Sequence, residues 1–552
     1  MLRRTVKAIL WVTVIIILAI VGVMVYVRAV ATIEPPIPES LQALTNEVVE
    51  VDTGLFKIDN NWFRKSESGL YELYVEGDAF ERGAANGKLT RELVHHQEEV
   101  FTEQIHRLVP SSFYLEILKY FVGWFNRNLQ ENVIKEYQLE ILGVSYAAST
   151  EFDDIASPYQ RILNYHAAHD IGHALQNMSL VGCTAFATWG NKSEDSTLII
   201  GRNFDFYVGD EFARDKIVAF YRPTDGHKFM MVTFGGMTGV LSGMNDQGLT
   251  VTINAAKSDV PTASATPVTL VTREILQYAS NIQEAYDIVA KRKMFVSESF
   301  LIGSAKDGKA AIIEKTPEAV DLVEARNNYL LSTNHFLGSK LGMTQLNQIH
   351  ERTSASPYRF KRLAELLARN QQNSIDKTAG ILRDQRGLND ADIGLGNEKA
   401  INQLVAHHGV IFQPEKKLMW VSTAPWQLGK FVCYNLDSVF AYKAFENREV
   451  YEADLAIPAD SFLMTDQYRN YLKFSPYRFP FNPKTDFQPD SIIKWNPNSY
   501  HAYMLAADSY FERKLWSKAI PLYEIGLTKE VATLQERHHM EKNLQRCKEN
   551  LQ

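Results

Sequence analysis

Cysteine is scarce: Cys183, Cys433 and Cys547 are the only three in 552 residues, far apart and in unlike surroundings. That excludes a disulfide framework and a zinc ribbon, which need closely spaced sets, and leaves at most one pair able to bridge. A free cysteine kept outside the cytoplasm needs a reason, because oxidation is a standing risk there. Basic excess is missing too. The net charge is -7 and the pI about 6.1, so nothing in the whole-chain balance would draw the protein to nucleic acid. No Gly-x-Ser-x-Gly elbow occurs, which removes the usual signature of a serine hydrolase. Disorder is not the theme either: 45% apolar and 22% charged residues are an ordinary globular composition. The length suits roughly two to four domains with sizeable cores.

Long hydrophobic runs are absent apart from one. From Ala8 to Val27 no charge interrupts a stretch rich in Ile, Val and Leu, long enough at helical rise to span a hydrocarbon core. Arg3, Arg4 and Lys7 precede the run and only Arg28 follows it, so the positive-inside bias puts the short N-terminus in the cytoplasm. The expectation is a single-pass anchor (1–31) with the bulk of the chain in the periplasm or another lumen. A cleaved signal peptide is the alternative, since Ala29-Val30-Ala31 resembles a small-residue cleavage site, although the run exceeds a usual signal core.

After a Pro-rich spacer the segment to residue 182 reads as helical, with apolar positions recurring at three and four in Phe113 to Trp124 and Val133 to Ala147. It opens on spaced glycines from Val75 to Gly87, a turn leading into a helix. We expect a helical prodomain or small subunit over 32–182. From Cys183 the pattern changes to short β-branched runs: Leu198 to Phe206, Ile217 to Arg222, Phe229 to Phe234 and Leu249 to Ala255. Turn-like Pro223 to Gly226 and Asn245 to Gly248 join neighbours into an antiparallel meander. Helices follow at Val268 to Ala279 and Ile282 to Lys291. Strands return at 300–304, 311–314 and 329–333, then, after a helical insertion, at 404–412 and 417–421. This order defines an α+β layered domain over 183–445. A linker (446–490) leads to a helical tail (491–552). In it Tyr503, Ala506, Ala507, Tyr510, Ala519, Tyr523 and Gly526 approach the spacing of a tetratricopeptide helix pair. One repeat cannot bury its own faces, so the tail is expected to cap the preceding domain, and only secondarily to offer a protein-partner surface.

Chemistry concentrates at Gly182-Cys183-Thr184, where helix gives way to sheet. If the 182–183 bond breaks, Cys183 owns a free α-amino group of pKa about 7.7–8.0 that can serve as base for its own thiol. Arg202 and Asp205, three apart on the next strand, would favour thiolate and orient that amine. The plain alternatives are a buried core cysteine and a surface ion pair.

Gly182-Cys183-Thr184 followed by Gly201-Arg202-Asn203-Phe204-Asp205-Phe206 resembles the acyl-coenzyme A:6-aminopenicillanic acid acyltransferase family and its relative choloylglycine hydrolase. Further pieces match in order: Asn245 to Asn254, Tyr329 to Phe336 and Ser354 to Phe360. The match runs from about 75 to 435 and omits the membrane segment and the tail. The resemblance implies a four-layer αββα N-terminal-nucleophile fold, self-cleavage before Cys183 and an inactive full-length form. It further implies acyl transfer from a small-molecule acyl amide without metal or cofactor, with Cys183 as nucleophile and Asn334 and Asn254 as oxyanion donors. The Ser-Arg-Phe segment would supply Arg359, although the inserted Pro357 leaves Arg362 as an alternative.

Three histidines, His166, His169 and His173, share a helical face and suggest a metal, but Gly172 interrupts that helix and no fourth soft ligand is near. A satisfied polar helix face is the preferred reading, and His407-His408, in a strand-like run, has an equally plain structural reading. His335 would be the base if the enzyme were a Cys-His thiol hydrolase. A membrane-tethered scaffold with a degenerate fold remains the non-enzymatic alternative.

Overall fold

The computed structural model describes residues 2–175, 182–207, 209–259, 261, 263–478 and 487–551. Two β-sheets organise the chain. The larger has eleven strands, which lie side by side in chain order from Val49–Asp52 to Val320–Glu324. All neighbours in it are antiparallel except Tyr71–Gly77 and Ile217–Pro223, which run parallel and bridge the N-terminal strands to the later ones. The smaller sheet has seven strands in the order Tyr329–Ser332, Thr184–Thr188, Ile199–Phe204, His408–Gln413, Leu418–Ser422, Phe431–Asn435 and Glu452–Ile457. The strand that follows the nucleophile therefore lies inside a sheet assembled from segments more than two hundred residues apart.

Many of these strands are buried on both faces, Leu249–Ala255 and Glu298–Ser304 along their whole length. Phe229–Thr233 accordingly reads as a near-continuous apolar run, whereas Leu249–Ala255 keeps its alternation and buries Thr250, Thr252 and Asn254 on its second face. One apolar cluster joins the facing sides of the two sheets, with Ala185, Leu198 and Ile200 against Val218, Phe220, Met230 and Val232. A second gathers Val251, Ile253, Phe300 and Ile302 with the helices Val268–Tyr278 and Ile282–Lys291, and it contains Cys183. A third packs Phe186, Ile411 and Trp420 under the helices Ser356–Arg369 and Ile375–Leu382.

The stretch 32–182 differs from the helical expectation. Helices Ala79–Leu89, Arg91–Leu108, Ser112–Phe125, Lys135–Ser145 and Pro158–Leu175 are there, but four strands precede them and extend the larger sheet. Two of their turns, Thr53-Gly54 and Asp59-Asn60, carry residues at positive φ (Gly54 and Asp59) as tight hairpins require. The Val75–Gly87 glycines do as expected: Gly77 has φ 103°, Asp78 caps the next helix, and Glu81 completes a capping box. Gly83 then lets that helix press on Lys135–Ser145, since a methyl there would overlap the Glu140 carbonyl. Buried Glu140 receives Arg82 at 2.8 Å and Arg273 at 3.1 Å, tying three helices together.

The segment 446–490 is likewise more than a linker, because Glu452–Ile457 forms the edge of the smaller sheet and Asp466–Phe474 is a helix. In the tail, Tyr500–Glu512, Trp516–Thr528 and Leu534–Leu551 share a core of Ala507, Ala519, Tyr523, Met540 and Cys547. The tail holds the segment 393–403 through Asn496 on both polar groups of Leu395, Glu530 on Lys399 and Asn397, and, from the chain before the tail, Arg478 on the Gln403 carbonyl. The N-terminal helix spans Leu2–Ala31. Within it, Ile9–Ala31 is long and apolar enough to cross a membrane, with mean hydropathy 2.9 and none of that window buried, features that a signal sequence shares.

Candidate active site

Cys183 is 1% exposed at the head of strand Thr184–Thr188, and the antiparallel neighbour Ile199–Phe204 brings Arg202 to it. Arg202 Nη2 lies 3.6 Å from Cys183 Sγ and also donates to the Ile253 carbonyl. Its Nη1 donates to Ser242 Oγ at 2.8 Å, and Ser242 in turn lies 2.9 Å from His408 Nε2. His408 and His407 are buried and held well below the ordinary imidazole range by desolvation and by the cations Arg202 and Lys216, so this relay is neutral at its far end. It fixes the guanidinium rather than neutralising it.

The peptide carbonyls flanking the expected cleavage point are both gripped. Gln403 Nε2 donates to the Gly182 carbonyl at 3.1 Å, and Arg359 Nη1 donates to the Cys183 carbonyl at 2.5 Å and to Thr184 Oγ1 at 2.9 Å. Gly182 N donates to the Asp205 carbonyl at 2.8 Å. A side chain at 182 would push the Gln403 amide aside, so the absence of one lets Gln403 approach the Gly182 carbonyl. Arg359 Nη2 donates to Asn334 Oδ1 at 2.7 Å, while Asn334 Nδ2 donates to the Ala255 carbonyl at 2.9 Å. Arg362 is turned elsewhere, paired with Asp384 at 2.8 Å and Asp390 at 2.8 Å, so that of the two arginines Arg359 is the one in contact with the Cys183 carbonyl.

Asn254 departs from the expected arrangement. Its Nδ2 is committed to Ser332, 3.0 Å to Oγ and 3.3 Å to the carbonyl. The strand around it supplies carbonyls instead, Ile253 to Arg202 and Ala255 to Asn334. His335 is bound through Nδ1 to Ser356 Oγ at 2.8 Å and pushed down to about 4 by burial, so it does not stand as the base of a Cys-His pair. His166 is buried between the Ile162 carbonyl and Thr238; the side chains of His169 and His173 lie outside the described residues.

Burial pushes the Cys183 thiol up to about 11, against the pull of Arg202, so in the uncut chain the thiol is neutral. Burial likewise lifts Asp205 to about 7, opposed by the cations Arg359 and Arg202. Asp205 Oδ1, Asn254 Oδ1 and the Nε atoms of Arg202 and Arg359 are buried without a hydrogen-bond partner among the described residues. So are both carboxylate oxygens of Glu298, which sits beside Ala255 in register and whose pKa is driven well above the usual range by desolvation and by Asp170. Gln403, Ser242, His408 and Glu298 had no sequence motif to announce them. All four reach the site through strand pairing or long-range packing.

Residues 191–405, less than half of the chain and beginning just after the nucleophile strand, match the model of the family "Acyl-coenzyme A:6-aminopenicillanic acid acyl-transferase". The resemblance to that acyltransferase family read from the motifs is thereby shown over that stretch, which contains Arg202, Asp205, Asn254, Asn334 and Arg359 but begins after Cys183. Among curated proteins, an uncharacterized protein of Archaeoglobus fulgidus is 24% identical over 253 residues, 43% of this chain and 42% of that protein. Protein dcd1B of Dictyostelium discoideum is 22% identical over 267 residues, 45% of this chain and 51% of its own. The chain thus spans about half the length of the curated relatives it matches. Two solved structures are also similar. The N-acylethanolamine-hydrolyzing acid amidase ortholog of Caenorhabditis elegans is 16% identical with TM-score 0.31, over 42% of this chain and 93% of that one. A mutant conjugated bile acid hydrolase of Clostridium perfringens is 13% identical with TM-score 0.33, over 49% and 96%.

Proposed function

We propose that the chain is a membrane-anchored cysteine hydrolase or acyltransferase that cleaves its own Gly182–Cys183 bond and then takes an acyl group from a non-peptide C–N amide. The observation that carries this reading is the Gly182 carbonyl held by Gln403 while the adjacent Cys183 thiol lies beside Arg202. In self-cleavage Sγ bonds to the Gly182 carbonyl carbon and Gln403 stabilises the oxyanion on the Gly182 oxygen. The C–N bond then breaks, the thiol proton ends on the departing Cys183 nitrogen, and water hydrolyses the resulting thioester. Asp205, titrating near neutrality, is suited to exchange protons in this buried setting.

In the cut enzyme the freed α-amino group of Cys183 is the base for its thiol, and Arg202 favours thiolate. Attack on a substrate amide places the oxyanion among donors from this shell, with the second N–H of Asn334 and Arg359 as the candidates. Water or an amine discharges the acyl-enzyme. The two sheets with helices on their outer faces suit the four-layer αββα arrangement that such enzymes use, and the tail, with its tetratricopeptide-like spacing, suits a cap that holds Leu395 to Lys399 while Arg478 before it holds the Gln403 carbonyl. The uncleaved N-terminal helix would hold the catalytic domain on the non-cytoplasmic side of the membrane. A degenerate scaffold is disfavoured by the buried, unmatched charge around Cys183, which is costly to keep without use.

The test is to trap the acyl-enzyme. Incubated with a panel of N-acyl amides and quenched in acid, the cut enzyme should gain the mass of one acyl group on the peptide beginning at Cys183, removable by hydroxylamine. A panel that is hydrolysed with no adduct on that peptide would remove Cys183 from the mechanism.

A further inference from the structure

The helix Ser112–Phe125 carries an apolar stripe that acyl transfer at Cys183 does not explain. Phe113, Ile117 and Phe121, one helical turn apart, are 68%, 51% and 50% exposed, and Tyr114 beside them is 63% exposed. Ile105 and Leu108, at the end of the preceding helix Arg91–Leu108, are also exposed and extend the apolar surface across the turn that joins the two helices. Single exposed hydrophobes are ordinary, whereas a contiguous patch marks an interaction site.

Its position identifies the partner. Gly123 packs on the end of the N-terminal helix, where an added Cβ would stand 2.6 Å from that of Ala31. Gln160 then pins the junction, donating to the Ala31 carbonyl at 2.6 Å and accepting from Ile33 N at 3.2 Å. Ile33 and Phe125 belong to one buried cluster. Both helices therefore enter the body at their C-terminal ends, side by side, and leave their N-terminal parts exposed. The eleven residues from Phe113 to Gly123 rise about 15 Å along the helix, away from the junction at Ala31.

We propose that the stripe of Ser112–Phe125, with the turn 109–111 that precedes it, rests in the interfacial layer of the bilayer that the N-terminal helix enters. The stripe is rich in aromatic rings, which favour the headgroup boundary. The helix is too short to cross a hydrocarbon core and carries Glu116 and Lys119, paired at 3.3 Å, which keep it shallow. Arg91–Leu108 leads from this turn to Phe101, which stacks on Tyr165 at 5.2 Å and shares its apolar cluster with Phe206 and Cys183. This inference rests on the anchoring part of the proposed function and not on its chemistry.

The test uses the full chain with Cys183→Ala, so that it stays whole, in phosphatidylcholine vesicles. The two remaining cysteines are buried. A polarity-sensitive dye is placed singly at Ile16→Cys in the N-terminal helix, at Ile117→Cys and at exposed Glu541→Cys as aqueous reference. Lipid-borne spin labels near the headgroup should quench the dye at 117 at least twofold more than labels at mid-chain, and neither should touch 541. Quenching at 16 with aqueous iodide access at 117 equal to that at 541 would overturn the proposal and leave the anchor standing. Iodide access at all three sites would overturn both, while acyl-enzyme formation, measured separately, would still judge the chemistry.

Discussion

Two buried clusters of arginine and carboxylate occupy neighbouring parts of the same molecule, and they differ in how completely their charges are met. In the cluster around Glu140, Arg82 gives its protons to Glu140, Glu136 and the Gly77 carbonyl, and Arg273 gives its own to Glu140, Gln277 and the Thr238 carbonyl. Around Cys183 the matching is broken. Arg202 and Arg359 each keep an unused Nε, Asp205 an unused Oδ1 and Glu298 two unused oxygens. Their titration diverges as well: Glu140 is held below the ordinary carboxylate range by its two arginines, whereas Asp205 and Glu298 are lifted above it by burial. A closed network stabilises a fold; an open one keeps polar groups available for a reaction.

The sharpest way to break this contrast is Glu140→Ala, which strands two buried guanidinium groups. Removing one partner of such a cluster costs about 3–5 kcal/mol, read as a loss of urea midpoint, while self-cleavage in the molecules that fold should keep its rate constant. Gln403→Leu should do the reverse. Loss of the donor on the Gly182 carbonyl is expected to slow self-cleavage by about 10²–10³-fold, with the urea midpoint changing little by comparison. A rate unchanged in that variant would remove Gln403 from the oxyanion site.

The third expectation concerns pH. Asp205 has its folded value raised to about 7 from 3.8, so its contribution to stability is complete below about pH 4 and is lost as pH rises through 7. In a Cys183→Ala background, unfolding should therefore become easier from pH 5 to 8, and Asp205→Asn should remove about 2–4 kcal/mol of that fall. Glu140 has the opposite sign, its contribution present above the ordinary glutamate range and lost toward acid. Equal slopes in the two Asp205 forms would contradict the assignment. Gly83→Ala, which forces a methyl onto the Glu140 carbonyl, is the mildest perturbation at about 1–3 kcal/mol by thermal melt, without effect on the cleavage chemistry.

What the sequence made legible follows the same division. The nucleophile, Arg202 and Asp205 sit within one hairpin, so local spacing was enough to group them, whereas Asn334 and Arg359 were named only through the resemblance of short motifs to a known family. The strands Ile217–Pro223 and Leu249–Ala255 and the helices Val268–Tyr278 and Ile282–Lys291 fell close to their expected bounds because turns and periodicity are local signals. Gln403 meets Gly182 across 221 residues, and His408 meets Ser242 across 166, contacts that no local pattern encodes. The strands before residue 70 were a different omission: alternating Val49 and Val51 with the Thr53-Gly54 and Asp59-Asn60 turns were readable, but the helices beyond dominated the segment. Asn254 illustrates a limit of motif transfer, since its position in the strand was legible and its commitment to Ser332 was not.

Intact mass and N-terminal sequencing of the purified full chain beside its Cys183→Ala variant test the central claim most directly. The wild-type 62.8 kDa chain should give two fragments, the larger beginning at Cys183, and the variant should stay whole. A wild-type chain that stays whole while it hydrolyses an acyl amide, or a variant that is cut at the same bond, would contradict it.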